Sequence, residues 1–164
     1  MPFIPSPRQT NLGIFLLTVV AMLFALWLQY DQHLEPCPLC VFQRVAMMAT
    51  GAVALLAFLH GPTGVGRRIY AGLTVLATAG GIVVAGRHVW LQQLPPDQVP
   101  SCGPGLDYWL DTFPLFEVVG KVLRGSGECA EIDWVFLGIT LPGWTLVVFA
   151  GLAVLAVWQL VRRD

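Results

Sequence analysis

The sequence predicts an all-α membrane protein built as a four-transmembrane-helix bundle, and its composition, apolar runs and charge distribution predict this class. Of its 164 residues, 56% are hydrophobic and 12% are charged, whereas soluble domains carry roughly 25% charged residues. The mean hydropathy of +0.71 agrees with a chain that lies in lipid. The formal net charge of −1 provides no basic surface field, so the sequence does not favour nucleic acid as a partner.

Four apolar runs are long enough for transmembrane helices, because a hydrocarbon core about 30 Å thick needs roughly 20 residues of helix. The runs span about residues 12–30, 41–59, 69–91 and 143–161. Backbone polar groups have no water to pair with in lipid, so these runs are expected to be helices rather than lone strands. Pro142 is a natural helix start, which places the fourth helix from about Gly143.

The chain is expected to form a single membrane domain, residues 1–164, with two loops on one face at about residues 31–40 and 92–142. The first apolar run ends in Trp27-Leu28-Gln29-Tyr30, which does not resemble the small-residue cleavage site of a signal peptide. We therefore interpret the first helix as an uncleaved anchor.

Basic residues outside the helices predict the orientation of the bundle. The face that holds both termini carries five of them, Arg8, Arg67, Arg68, Arg162 and Arg163. The opposite face carries two, Lys121 and Arg124. The positive-inside rule therefore places both termini in the cytoplasm and the two loops on the outer side, which in a bacterium would be the periplasm. All four cysteines fall in those loops, in a compartment where disulfides form and persist.

The first cysteine pair, Cys37 and Cys40, forms a C-x-x-C motif at the start of the second helix. A helix N-terminus favours the thiolate form that attacks disulfides and electron acceptors. Arg44 follows Cys40 by one helical turn, so its guanidinium is expected on the same face. It either stabilises a Cys40 thiolate or a nearby carbonyl oxygen, or it reaches out to lipid headgroups.

His88 lies near the outer end of the third helix, at the predicted depth of Cys40. A histidine there can donate to a quinone oxygen or move protons near neutral pH. An interfacial histidine bonded to water or headgroups is an equally good interpretation of the sequence alone.

The second pair, Cys102 and Cys129, lies in the long outer loop. Prolines and glycines around Cys102 predict a turn-rich stretch that another protein's thiolate can reach. The segment Leu106–Leu123 mixes apolar and charged residues, which predicts either a short interfacial helix or a packed cap over the bundle. A purely structural Cys102–Cys129 disulfide would stabilise the loop by about 3–4 kcal/mol and remains open. No metal is expected, because the second pair lacks the close spacing of a zinc motif.

These residues together resemble the DsbB family of disulfide-bond-forming proteins. The resemblance covers nearly the whole chain and is strongest from Ser126-Gly127-Glu128-Cys129 into Trp134-Val135-Phe136-Leu137-Gly138 and Pro142-Gly143-Trp144. It also rests on three shorter segments, Pro36-Cys37-Pro38-Leu39-Cys40 with Gln43-Arg44, Arg87-His88-Val89-Trp90-Leu91-Gln92, and Cys102.

The resemblance implies an inner-membrane enzyme that re-oxidises a periplasmic DsbA-like thiol oxidase. In that scheme DsbA attacks the Cys102–Cys129 disulfide, and the Cys37–Cys40 disulfide then re-oxidises the second pair. Cys40 passes the electrons to a membrane quinone, either ubiquinone or menaquinone, with Arg44 and His88 as the cofactor-binding residues. The acceptor must be strongly oxidising, because the DsbA couple lies at about −120 mV.

Two other interpretations remain at the level of the sequence. A vitamin-K-epoxide-reductase-like enzyme also joins thiols to a quinone, but its loop cysteines would precede the C-x-x-C instead of following it. A non-catalytic membrane scaffold with two bracing disulfides would carry cysteines that do not exchange with other thiols.

Overall fold

The computed structural model describes residues 5–162 and confirms the four-helix membrane fold class. In chain order the elements are α1 (Pro7–Tyr30), α2 (Pro38–His60), α3 (Gly64–Leu91), α4 (Leu106–Thr112), α5 (Leu115–Arg124), a 3-10 turn (Gly127–Ala130), β1 (Val135–Phe136), β2 (Ile139–Thr140) and α6 (Leu141–Val161). Helices α1, α2, α3 and α6 are long and apolar enough to cross a membrane. Arg163, one of the residues used to predict the orientation, lies outside the described residues.

Each of the four long helices begins two to five residues before its first predicted residue, because the prediction started at the first apolar residue and the backbone helix starts at its cap. Ser6 and Gln9 form a capping box before α1, in which each side chain bonds the other's backbone N–H. Pro38 occupies the first turn of α2, where a missing N–H costs nothing. Helix α6 begins at Leu141 rather than Gly143, with Pro142 in its first turn.

The transmembrane helices pack in the order α1, α2, α3, α6, with α1 and α6 meeting only at a few points. The Phe149 ring of α6 lies so close to Gly81 of α3 that a Cβ there would come within 2.3 Å of it. The buried side chains between the helices include Ile14, Met47 and Phe149. These contacts form a core in the middle of the bundle.

We call the two ends of the bundle the terminal end, which holds both chain termini, and the cysteine end. At the terminal end α1 and α6 are joined by a buried hydrogen bond, in which Gln159 Nε2 donates to Asn11 Oδ1 at 2.9 Å. Arginine side chains there also donate to backbone carbonyls of neighbouring segments, Arg8 to Phe58 and Arg162 to Pro5. The bond between Gln159 and Asn11 joins α1 and α6 at the terminal end, and at the cysteine end both helices line a cavity.

The long loop forms a cap over the cysteine end and also presents an apolar face outward. Helix α5 buries Val118 and Val122 against Leu39 and Leu91, in a second core that includes Cys129. Leu115, Phe116 and Val119 on the same helix are exposed. Both interpretations of the segment Leu106–Leu123 therefore describe part of it, since one face is packed and the other is free to meet lipid headgroups.

Arg87, at the outer end of α3, fixes this cap to the bundle. Its Nε donates to the Leu123 carbonyl and its Nη2 to the Arg124 carbonyl, both at 2.9 Å, and its guanidinium lies 4.1 Å from the centre of the Trp90 ring. These carbonyls belong to the last turn of α5, where carbonyl groups have no partner within the helix. A positive charge at that position also favours the negative end of the helix dipole.

Candidate active site

The first cysteine pair lies at the N-terminus of α2, at the cysteine end. Cys37 is the N-cap residue, and the backbone N–H of Cys40 donates to its sulfur at 3.4 Å. The Sγ atoms of Cys37 and Cys40 are 3.3 Å apart, and both side chains are half-buried thiols. Cys40 lies in the first helical turn, so the motif spans the helix start. The pair is within reach of a disulfide bond with little rearrangement.

His88 from α3 completes this cluster and is almost fully buried. Its Nε2 atom lies 3.8 Å from Cys37 Sγ and its Nδ1 atom 3.9 Å from Cys40 Sγ. The amide Nε2 of Gln43 lies 3.0 Å from His88 Nδ1. An amide N–H can only donate, so in this arrangement Nδ1 accepts and the ring proton lies on Nε2, facing Cys37. The structure thus places His88 beside the sulfurs themselves.

Cys129 lies in the 3-10 turn of the loop and is fully buried. It packs in the second core next to Leu39, with Cys37 against the same cluster. A hydrogen bond to Cys37, burial and the charge of the Cys37 thiolate all raise the pKa of the Cys129 thiol. Ser126 Oγ is 3.6 Å from its sulfur. Cys129 therefore holds its proton beside the first cysteine pair.

Cys102 is exposed at the outer surface and lies against the 3-10 turn that carries Cys129. The Gly127 N–H donates to the Ser101 carbonyl at 3.4 Å. A Cβ added at Gly127 would come within 2.9 Å of Cys102 Sγ, so the close approach depends on the missing side chain. The second pair thus has one accessible member and one buried member, both as free thiols.

A cavity of about 670 Å³ adjoins Cys37, Cys40 and His88. Helices α1 and α6 form two walls, with apolar side chains such as Leu17, Phe24 and Val148 that lie within the membrane-spanning segments. Binding sites for small organic molecules are about this size and mostly apolar, with a few placed polar groups. Gln43, Arg44 and His88 are polar groups next to the first cysteine pair, and the lining also includes the acidic residues Glu35, Glu128, Glu131 and Asp133.

Arg44 crosses from α2 to the end of α1, rather than pointing out to headgroups. Its Nη1 donates to Gln29 Oε1, and its Nη2 donates to the Ala25 carbonyl at 3.2 Å. Arg44 and Cys40 line the same cavity. The structure therefore brings Cys37, Cys40, Arg44 and His88 to one cavity, with Cys129 behind it and Cys102 at the surface.

Two residues near this site received no role from the sequence. Gln43 was part of a quoted motif, but nothing in its position indicated contact with His88, because the two are far apart in the chain. Arg87 appeared only within a segment quoted for the family resemblance, although it bonds the end of α5 in the loop that carries Cys129. A polar residue on an otherwise apolar transmembrane helix is the one signal that could have marked Gln43.

The fold and the site define a multi-pass membrane protein with a dithiol cluster at the mouth of an apolar cavity. Residues 7–159 match the family described as Disulfide bond formation protein DsbB, and the chain belongs to that family. A protein named Disulfide bond formation protein B from Acinetobacter baylyi is 56% identical over 151 residues, which cover 92% of this chain and 88% of that protein. Another protein of the same name, from Nitrosococcus oceani, is 54% identical over 151 residues, with coverage of 92% and 89%.

Family membership confirms the resemblance drawn from the sequence, and it identifies the chain as a multi-pass membrane protein of a disulfide-forming family. The vitamin-K-epoxide-reductase-like interpretation, already at odds with the order of the cysteines, is not the family that matches.

Proposed function

We propose that this protein re-oxidises a periplasmic DsbA-like thiol oxidase and passes the electrons to a membrane quinone. The observation that carries the proposal is the order of the sulfur atoms. Cys102 is exposed, Cys129 is buried in the apolar cluster against which Cys37 also packs, and Cys37 lies 3.3 Å from Cys40 at the cavity. This order connects the aqueous surface with an apolar cavity inside the membrane domain.

The first half of the reaction takes place at Cys102. A thiolate of the partner attacks Cys102 Sγ, the Cys102–Cys129 bond breaks, and Cys129 leaves as a thiolate. The partner's second thiolate then attacks its own sulfur in the mixed disulfide and releases Cys102. The partner leaves oxidised, and two electrons remain on Cys102 and Cys129. Exposure of Cys102 and burial of Cys129 favour attack at Cys102.

The second half passes these electrons inward. When Cys37 is in the Cys37–Cys40 disulfide it carries no thiolate charge, so this cause of the raised pKa of Cys129 is absent. The Cys129 thiol then gives up its proton, its thiolate attacks Cys37 Sγ, the Cys37–Cys40 bond breaks, and Cys40 leaves as a thiolate at the cavity. Cys102 then attacks Cys129, which restores the Cys102–Cys129 disulfide and releases Cys37. The packing of Cys37 against the cluster that contains Cys129 supports this choice of sulfur. Two electrons and two protons then leave the Cys37–Cys40 dithiol to restore its disulfide.

A quinone fits the remaining requirement, because it accepts two electrons and two protons and travels through lipid. The cavity suits such a molecule by size and by its apolar walls on α1 and α6. Arg44 and His88 are the residues that would hold it, since both line the cavity together with Cys40. Arg44 keeps a fixed positive charge there, held by its bonds to Gln29 and Ala25.

The distribution of basic residues between the two ends of the bundle supports an orientation in the membrane. Arg8, Arg67 and Arg162 lie at the terminal end, whereas the cysteine end carries Lys121 and Arg124. We therefore place both termini in the cytoplasm and the cysteines in the periplasm of a bacterial inner membrane.

The proposal is tested without oxygen, with the full chain purified in detergent, reduced DsbA as the electron donor, and water-soluble analogues of ubiquinone or menaquinone as acceptors. Quinone absorbance is followed with time. We expect loss of quinone absorbance that needs both the donor and the enzyme and that is abolished in Cys40→Ser. The better of the two analogues identifies the class of quinone.

Cys102→Ser provides a second arm that separates the two halves of the reaction. It should prevent electron entry from DsbA and leave dithiothreitol-driven reduction of the Cys37–Cys40 pair intact. Cysteines that stay oxidised in the presence of excess reduced DsbA, with no loss of quinone absorbance, would contradict the proposal and favour a scaffold braced by disulfides.

A further inference from the structure

We propose that the reduced site is also a binding site for a soft divalent cation, with zinc as the representative ion. The ligands are Cys37 Sγ, Cys40 Sγ and His88 Nε2. This goes beyond electron transfer, since it needs neither a thiol oxidase nor a quinone. The sequence did not indicate such a site. The spacing of the four cysteines does not match a zinc motif, and His88 reaches the first pair only because α3 packs beside α2.

The positions of the donor atoms carry the proposal. The sulfur and nitrogen atoms of Cys37, Cys40 and His88 all lie within 4.8 Å of one another. The two sulfurs are 3.3 Å apart, and Cys37 Sγ is 3.8 Å from His88 Nε2. With Zn–S near 2.3 Å and Zn–N near 2.0–2.1 Å, a tetrahedral ion spaces two sulfurs by about 3.8 Å and sulfur from nitrogen by about 3.6 Å. Small side-chain rotations bring the three atoms to that geometry.

Two thiolates and an imidazole are ligands that zinc prefers. Among the described residues, Cys129 is not within the 4.8 Å group, so the protein supplies three ligands. The three side chains border the cavity, which leaves the fourth position to water or a small anion. Sites of this kind, with three protein ligands and one open position, occur in zinc proteins.

Gln43 supplies the contact that a ligating histidine needs at its other nitrogen. When Nε2 binds a cation, the ring proton lies on Nδ1. Gln43, whose amide is 3.0 Å from Nδ1, then turns its amide so that Oε1 accepts this proton. A hydrogen bond to the second ring nitrogen is what orients most metal-bound histidines. The buried position of Gln43 keeps the amide beside the ring in both orientations.

Binding changes the chemistry of the cysteine pair. The cation displaces two protons from the Cys37 and Cys40 thiols and holds both sulfurs as metal-bound thiolates, with no change of oxidation state. A sulfur whose electron pair is shared with the metal is a poorer nucleophile, so the pair is protected from disulfide formation. The cation also occupies the end of the cavity next to Cys40. Zinc would therefore act as an inhibitor of the reduced enzyme that a chelator removes.

The test uses the full chain in detergent, fully reduced and free of oxygen, with Co²⁺ as a spectroscopic probe and Zn²⁺ as a competitor. Tetrahedral cobalt with thiolate ligands gives strong visible bands and an ultraviolet thiolate-to-metal band. We expect one cobalt ion per chain, displacement by Zn²⁺, and no such bands in the protein with an oxidised Cys37–Cys40 pair. Zinc should also slow oxidation of the pair by diamide, and EDTA should restore it.

Variants decide which side chains hold the ion. Gln43→Ala keeps all three ligands and should weaken binding by about 10- to 100-fold. His88→Ala should weaken it further and change the visible bands, and Cys40→Ser should abolish them. His60→Ala and Cys102→Ser are the matched controls, since His60 is an exposed histidine at the terminal end and Cys102 an exposed cysteine.

Cobalt affinity and bands unchanged in both His88→Ala and Gln43→Ala would overturn the proposal, because the thiols alone would then bind the ion. Equal binding by the oxidised protein would overturn it as well. No donor protein or quinone is present, so these outcomes are independent of the test of electron transfer.

Discussion

Gln43 Nε2 lies 3.0 Å from His88 Nδ1, and this one contact fixes the tautomer of the histidine that touches both sulfurs of the first cysteine pair. Both residues are buried, Gln43 with 5% and His88 with 2% of its surface exposed. In this orientation of the Gln43 amide, the ring proton lies on Nε2, directed at Cys37. The residue that sets the chemistry of His88 is thus on α2, the same helix as the cysteines.

Removing this amide should slow electron transfer without removing any cysteine. Gln43→Leu keeps the volume of the side chain but leaves Nδ1 without a donor, at a cost of about 1 kcal/mol or roughly a five-fold lower rate of quinone reduction. The ring tautomer can be followed by ¹⁵N NMR of a histidine-labelled sample. Gln32→Leu is the control, because Gln32 is exposed and its amide donates to the neighbouring Asp31. Equal rates and an unchanged tautomer in Gln43→Leu would show that the contact has no function.

The two loop cysteines should differ sharply in reactivity when the protein is fully reduced. Cys102 is exposed, whereas Cys129 is buried and its pKa is raised by Cys37. A raised pKa means a smaller thiolate fraction at every pH, so alkylation of Cys129 should stay slow as the pH increases from 7 to 9. Iodoacetamide labelling followed by peptide mass spectrometry measures both rates. In denaturant the two should react alike, and equal labelling of the folded protein would contradict the buried position of Cys129.

A methyl group at Gly127 should disturb the second cysteine pair. In Gly127→Ala the new Cβ would lie 2.9 Å from Cys102 Sγ and 3.1 Å from the Pro100 carbonyl, so the Cys102 segment must move. Misplacement of a reacting atom by about 1 Å can slow a reaction by about 100-fold. We expect exchange between reduced DsbA and the Cys102–Cys129 disulfide to slow by up to that factor, measured by stopped-flow fluorescence.

Gly120→Ala is the matched control for this substitution. Gly120 lies in α5, where an added Cβ meets nothing within 4 Å. Alanine favours a helix more than glycine, so this variant should exchange at the wild-type rate or be slightly more stable. If both variants exchange equally fast, the approach of Cys102 to Gly127 is not needed for the reaction.

Local patterns predicted the bundle well, because transmembrane helices follow from apolar length alone. Residues 12–30 and 143–161 were found in this way, and the errors lay at the helix starts, where Ser6 and Leu141 precede the apolar run. The C-x-x-C pair was also visible, since Cys37 and Cys40 are close in the chain. These features depend on neighbours along the sequence.

Contacts between distant segments could not be predicted in the same way. The sequence placed Arg44 one turn from Cys40, yet its bonds to Gln29 and Ala25 depend on where α1 ends in space. The contact of Cys129 with Cys37 depends on how α5 and the 3-10 turn fold back over α2. Neither position follows from helical periodicity, because each requires the packing of a loop or helix from another part of the chain.

Arg87 should control how firmly the loop covers the bundle. Its two bonds to the carbonyls of Leu123 and Arg124 are charge-assisted, and such bonds contribute about 1.5–3 kcal/mol each. In Arg87→Ala we expect hydrogen exchange of the α5 amides to increase by roughly ten-fold or more, measured by mass spectrometry. Arg68→Ala is the control, because Arg68 is exposed at the terminal end. Unchanged exchange in α5 would mean that the second core alone holds the loop.

Arg44 should matter for the quinone half of the reaction and not for the thiol half. Arg44→Ala removes the positive charge at the cavity and the bonds to Gln29 and Ala25. Loss of a charge-assisted contact worth about 1.5–3 kcal/mol corresponds to a decrease of roughly 10- to 100-fold in kcat/KM for quinone. Arg44→Lys should recover only part of the lost kcat/KM, because one ammonium group cannot replace the planar fork of the guanidinium.

The control is Arg8→Ala, because the Arg8 guanidinium bonds the Phe58 carbonyl at the far end of the bundle. A single turnover between reduced DsbA and the Cys102–Cys129 disulfide should be unaffected in every one of these variants. A slower single turnover in Arg44→Ala would instead assign Arg44 to the support of the cysteine cluster as a whole.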